Sequence, residues 1–131
     1  MIYTSYFART KDLAKARIVP ICIARYRPKY FTGLQFLKLA PHPTLLKMDE
    51  DKYIPKFNDM LRRISPVMVM QELNDLSQGN DIALVCYESS EKFCHRHLVA
   101  EWLNKFFPEQ TVAEFDPKVK KKFIDTQMSM F

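Results

Sequence analysis

The segment Ile82-Ala83-Leu84-Val85-Cys86 is apolar at every position. A strand with one face in water alternates polar and apolar residues, whereas a strand without alternation must be covered on both faces. Such a run predicts the central strand of a mostly parallel sheet with helices above and below it.

The rest of the chain is read around that strand. Ile2-Tyr3-Thr4-Ser5-Tyr6-Phe7 and Ile21-Cys22-Ile23-Ala24 are β-branched or aromatic and predict two more strands. Pro20 lacks an amide donor and suits a strand's first residue or an edge. Val112–Phe115 predicts a last short strand, and Leu34–Leu39 a short helix inside the loop-like stretch Arg25–Met48. Tyr53, Ile54, Phe57, Met60, Leu61 and Ile64 fall on one stripe of a helix. Asp49, Glu50 and Asp51 precede this helix and Arg62 and Arg63 close it, the polarity its dipole favours. Pro55 sets the start of its regular hydrogen bonding no earlier than about Ile54. Ser65-Pro66 reads as an N-cap and first helical residue, opening a helix with Val69, Leu73 and Leu76 inward that stops near Gly79. A further helix runs from about Cys94 to Phe106, with Leu98, Trp102 and Phe106 at i+4 spacing plus Val99 and Leu103. The expected fold is a small three-layer α/β sandwich, with a mostly parallel sheet of three to four strands and helices on both faces. It is one domain over residues 1–117, followed by a basic, Met-containing tail at 118–131.

Only two glycines, Gly33 and Gly79, occur among 131 residues. They are too few and too far apart for a GxGxxG fingerprint or a Walker loop. An anion site in this chain has to rest on a helix N-terminus and on side chains. Twenty Lys and Arg against fifteen Asp and Glu give a net charge of +5. That excess fits an anionic partner, from a nucleotide to a nucleic acid, and equally fits plain surface solvation. No apolar stretch approaches the roughly 18–20 residues that span a bilayer, and Met1–Ser5 does not start a secretory leader, so no membrane partner is expected. Cys22, Cys86 and Cys94 are odd in number and are expected as reduced thiols of a cytoplasmic protein.

In open α/β sheets ligands bind beyond the carboxyl ends of the strands. That rule selects Tyr6, Arg25-Tyr26 and the segment from Cys86 to Arg96. Cys94-His95-Arg96 opens a helix, where unpaired amides and partial positive charge favour anions. Arg96 adds a guanidinium fork for phosphate or carboxylate. Cys94 there would have a lowered pKa, especially beside His95, and Glu88 supplies a nearby carboxylate for base or nucleophile work. Glu88, Cys94 and His95 are therefore the candidate catalytic residues. Arg25, Tyr26, Cys86, Arg96 and Tyr6 are the candidate ligand-binding residues. Each has a plainer reading: Cys86 as a packed hydrophobe, Cys94 as an N-cap or core contact, His95 as a structural hydrogen bond to the loop backbone. Arg96 near a helix start opposes the macrodipole, which calls for a partner. Zinc ligation by Cys86, Cys94 and His95, with Glu88 or His42, is the lesser reading, because C-x7-C-H is not a familiar zinc spacing. No metal or other cofactor is assigned. A phosphatase-like cradle is disfavoured, since Cys86 and Arg96 lie ten residues apart.

The pair Ile82–Glu88 and Cys94-His95-Arg96-His97-Leu98-Val99-Ala100-Glu101-Trp102-Leu103 resembles the signature of domain-of-unknown-function family 488. Ile2–Tyr6, Ile21–Arg25, Pro28, Tyr30-Phe31 and Leu39-Ala40-Pro41 fit it as well, so the resemblance covers Ile2 to about Phe115. It looks like the short form common in phage and bacterial genomes, and departs from the family pattern at Ala24, where serine is expected. The resemblance implies an α/β fold with a site at the Cys86–Arg96 segment and supplies no reaction. The favoured function is the binding, with processing as an extension, of a phosphorylated or nucleotide-like small ligand. A nucleic-acid module using Arg25–Tyr30 and Lys118–Lys122 is the first alternative. A phage-type interaction or inhibitor protein docking through Met128 and Met130 is the second.

Overall fold

The computed structural model describes residues 1–88 and 94–118. Residues 89–93 of the Cys86–Arg96 segment and the tail features at Lys120–Lys122, Met128 and Met130 lie outside these. Five strands, all parallel, form one sheet in the order β3-β2-β4-β1-β5. They are β1 (Ile2–Tyr6), β2 (Val19–Cys22), β3 (Leu34–Gln35), β4 (Ile82–Cys86) and β5 (Ala113–Glu114). The helices are α1 (Thr10–Lys15), α2 (Glu50–Arg62), α3 (Pro66–Ser77) and α4 (His95–Phe106).

β4 is central, and all five of its residues are buried. Its side chains alternate between two cores. Ile82 and Leu84 join Phe57, Leu61, Leu73, Val99 and Leu103 from α2, α3 and α4. Ala83 and Val85 join Phe7, Leu13 and Ile18 on the α1 side. The three layers therefore follow from one uninterrupted apolar pentapeptide that needs cover on both faces.

The sheet has one strand more than the upper expectation of four, and the extra strand is β3. Leu34–Gln35 pairs with Ile21–Cys22 as an edge strand, and the helical character expected there is confined to a 3-10 turn at Leu37–Leu39. Gly33 makes this entry possible: a Cβ at that position would stand 2.8 Å from the Phe31 ring. Pro20 lies within β2. Val19 N and Ile23 N donate toward β4, so the intervening Pro20 faces β3, which begins pairing only at Ile21. Its missing donor leaves no ladder bond unmade.

α2 starts at Glu50, earlier than Pro55 suggested. Lys52 N and Tyr53 N already donate to Asp49 O. Pro55 sits on the exposed face, opposite the buried Tyr53, Phe57 and Leu61, where water can serve the one carbonyl it leaves unpaired. α3 is capped as expected, by Ser65 Oγ accepting from Met68 N at 3.2 Å. It ends on Gln78 in the left-handed region, with Gly79 at φ 79° behind it. Its inward residues are Val69, Leu73 and Ser77, while Leu76 is exposed. None of the described helices is long and apolar enough to cross a membrane.

The chain leaves β1 toward β2 by way of α1 and leaves β4 toward β5 by way of α4, on the other face. Neighbouring strands β1 and β4 thus send their connections in opposite directions, and a crevice forms at their carboxyl ends.

Replacing Leu84, which has no exposed surface, by alanine is expected to lower the unfolding free energy by about 2–5 kcal/mol. Replacing the cap Ser65 by alanine should cost about 1 kcal/mol. Urea unfolding monitored by Trp102 fluorescence measures both, and a loss below that of S65A for L84A would contradict the central placement of β4.

Candidate functional site

A cavity of about 500 Å³ opens where the carboxyl ends of β2 and β4 meet the start of α4. Ala24, Arg25 and Tyr26 form one wall, Cys86, Tyr87 and Glu88 another, and Cys94 and His95 the floor at the helix end. Leu46, Met48 and Tyr53 close the apolar side. A larger hollow of about 620 Å³ lies at the amino ends of the strands, lined by Met1, Ile2, Asn74 and Ile82 among others. It holds no cysteine, histidine or arginine. Chemistry concentrates at the smaller one, on the side where α/β sheets place ligands.

Four hydrogen bonds fix the cavity walls to each other. Arg25 Nε donates to Pro41 O at 2.9 Å and Nη2 to Ala40 O at 3.4 Å, so the exit of β2 holds the Ala40–Pro41 turn. Its Nη1 is uncommitted among the described residues. Tyr87 Oη donates to Tyr26 O at 2.6 Å, joining the segments after β4 and β2. His95 Nε2 lies 2.6 Å from Ile23 O. A carbonyl only accepts, so the ring proton sits on Nε2 and the Nδ1 lone pair is left toward Cys94 Sγ, 3.8 Å away. Burial pulls the His95 pKa down to about 4, against the bond to Ile23 and with help from the Arg96 charge, so the imidazole is neutral near pH 7.

Arg96 is placed beneath the cavity, not along its lining, and has no exposed surface. Nε and Nη2 donate to the two oxygens of Glu114, each at 3.0 Å, a bidentate pair. Nη1 donates to Glu88 O at 2.6 Å and to Cys86 Sγ at 3.1 Å. The Tyr6 ring lies against the guanidinium, 5.5 Å from its centroid, and Tyr6 Oη accepts from Arg9 Nε. The β1–β4 crevice is therefore filled by Arg96 and Tyr6, and the open cavity lies on the other side of β4. Of the residues singled out in the sequence, Arg25, Tyr26, Cys86, Glu88, Cys94 and His95 share this cavity, while Tyr6 and Arg96 stand outside it.

The cysteines correct the expectation of three unpaired thiols. Cys86 and Cys94 are joined by a disulfide, with Cα atoms 7.1 Å apart, and only Cys22 is free and buried. The bond joins the end of β4 to the N-cap of α4 across eight residues. The sulfur atoms and a His95 ring nitrogen lie within 4.8 Å of one another.

Residues 6–106 match the model of DUF488-N3a, described as the active DUF488-N3 subclade. The chain belongs to the DUF488 family. No curated protein and no solved structure matches it.

Two features of this DUF488 domain were out of reach of sequence reasoning. Glu114 sits on a two-residue strand, 18 residues after the arginine it pairs with. The only hint was that Arg96 opposes the helix dipole and so required a partner. Tyr53 lines the cavity, whereas its sequence pattern marks it only as part of the α2 stripe. Its hydroxyl pKa is raised by burial.

Glu114→Ala leaves Arg96 buried and uncompensated. The expected loss is about 3 kcal/mol, the low end for a buried pair, because Glu114 keeps 25 % exposure. Chemical denaturation checks this, and a loss under about 1 kcal/mol would mean the pair is dispensable to the fold.

Proposed function

We propose that the DUF488 domain binds a phosphorylated or nucleotide-like small ligand in the cavity between β2, β4 and α4. The observation that carries the reading is the lining itself. A single cationic side chain, Arg25, stands beside the first turn of a 12-residue helix, and Tyr26, Tyr53 and Tyr87 supply aromatic surface. A guanidinium and a helix N-terminus together favour a phosphate. Tyrosine faces favour a planar ring system, and the volume suits a mononucleotide-sized molecule. Arg96 serves this site as a positioning residue: it holds the Glu88 carbonyl and Cys86 sulfur in place and leaves the ligand anion to Arg25.

Glu88 and His95 extend the reading to processing. Glu88 lines the cavity with its backbone pinned by Arg96, and the neutral His95 offers an unprotonated Nδ1. The description of the matching subclade as active agrees with a site that does chemistry.

A nucleic-acid partner is the second reading. Tyr26, which lines the same cavity, and Tyr30 are 63 % and 71 % exposed, on a segment that also carries Arg27 and Lys29. Exposed aromatics among cations suit single-stranded nucleic acid.

Thermal shift against a panel of mononucleotides and sugar phosphates tests the first reading. A ligand at 100 times its Kd should stabilise the protein by about 2.7 kcal/mol. Arg25→Ala should weaken that ligand roughly 10- to 100-fold, the loss of one charged hydrogen bond. No stabilisation by any phosphorylated compound, with salt-sensitive retention on single-stranded RNA or DNA, would replace the first reading by the second.

A further inference from the structure

We propose that Cys86, Cys94 and His95, once the cysteines are reduced, form a metal site for a zinc-class divalent ion, with its fourth position open to the cavity. The inference is independent of which organic ligand the cavity takes.

Three ligand atoms of the right softness already converge. The two sulfurs and a His95 ring nitrogen lie within 4.8 Å of one another, and all three residues are buried. Thiolate and imidazole together select zinc over the oxygen-seeking magnesium and calcium. Each ligand also has the partner that its metal-binding form requires. His95 donates Nε2–H to Ile23 O, which fixes the ring and leaves Nδ1 as the coordinating atom. Cys86 Sγ accepts a hydrogen bond from the buried Arg96 guanidinium at 3.1 Å, which favours a thiolate there. Cys94 is the N-cap of α4, where the partial positive charge of the helix favours a second thiolate. Three protein ligands beside a cavity is the arrangement of catalytic zinc, in which the remaining position takes water or substrate. Glu88 and Arg25 line that same cavity.

The disulfide and the metal site are two states of one sulfur pair. Reduction takes two electrons and two protons from a dithiol reductant, which leaves as its own disulfide. The S–S bond breaks to two thiols. The incoming ion then forms two metal–sulfur bonds and one metal–nitrogen bond, and the two thiol protons pass to solvent.

The test uses the full chain, reduced with a dithiol and freed of it under anaerobic conditions, with no organic ligand present. Cobalt(II) is titrated as a spectroscopic stand-in for zinc, and zinc is then added in competition. The expected result is one equivalent bound, with a thiolate-to-cobalt charge-transfer band and tetrahedral ligand-field absorption, both lost on adding zinc. Cys94→Ser and His95→Gln should each abolish stoichiometric uptake, and Cys22→Ala should leave it intact. Alkylation mapped by mass spectrometry on the unmutated chain gives a readout that no folding defect can blur. Zinc should protect Cys86 and Cys94 together. No charge-transfer band in the folded, reduced chain, or alkylation of both cysteines at equal rates with and without zinc, overturns the proposal. Nucleotide binding by chelator-treated protein is scored separately, so failure of the metal site and failure of the ligand reading are distinct outcomes.

Discussion

The guanidinium of Arg96 is the contact on which the site end of the domain depends. Without exposure to water it cannot rely on solvation, and an unpaired buried charge is among the costliest features a fold can carry. Every direction in which it could be satisfied is therefore fixed. Glu114 meets Nε and Nη2, which ties α4 to β5. Glu114 also accepts from Thr4 Oγ1 at 2.7 Å, which adds β1. Nη1 reaches the end of β4 through Cys86 and Glu88. One side chain thus sets the relative positions of three strands and a helix start, and the cavity walls inherit that precision.

This arrangement changes what the arginine is for. A guanidinium at a helix N-terminus reads in sequence as an anion receptor, because both features attract phosphate. Here the anion it receives is a carboxylate of the same chain. The cationic role in the cavity passes to Arg25, whose Nε and Nη2 are engaged by backbone carbonyls and whose net charge is not neutralised by a carboxylate among the described residues. The distinction is one of compensation, not of residue type: Arg96 has its counter-ion built in, and Arg25 does not.

The parts of the fold legible in sequence were those governed by a local rule. β4 declared itself by continuous apolarity, α2 by its stripe, and the start of α3 by Ser65-Pro66. The parts that escaped depend on contacts distant in sequence. Leu34–Gln35 has no strand signature; it is a strand because Ile21–Cys22 offers it an open edge and Gly33 lets the chain pass Phe31. Pro20 is harmless inside β2 only because β3 is short. The site divides the same way. Cys86, Glu88, Cys94 and His95 were visible because strand end and helix start are close in sequence as well as in space. Glu114 was not, since nothing local marks a glutamate on a two-residue strand as a buried counter-ion.

The position of the cavity follows from these two observations taken together. An α/β sheet with this strand order opens its crevice between β1 and β4, where the connections diverge. Arg96 and the Tyr6 ring occupy that crevice. The open cavity lies on the other side of β4, against β2, where the small Ala24 side chain follows the strand. The same placement puts Cys86 between the two regions. Its sulfur touches the buried guanidinium on one side and lines the cavity on the other. Any change in the chemical state of that sulfur is therefore felt by the charge that organises the strand ends and by whatever occupies the cavity. The coupling requires no moving segment, because the two environments share one atom.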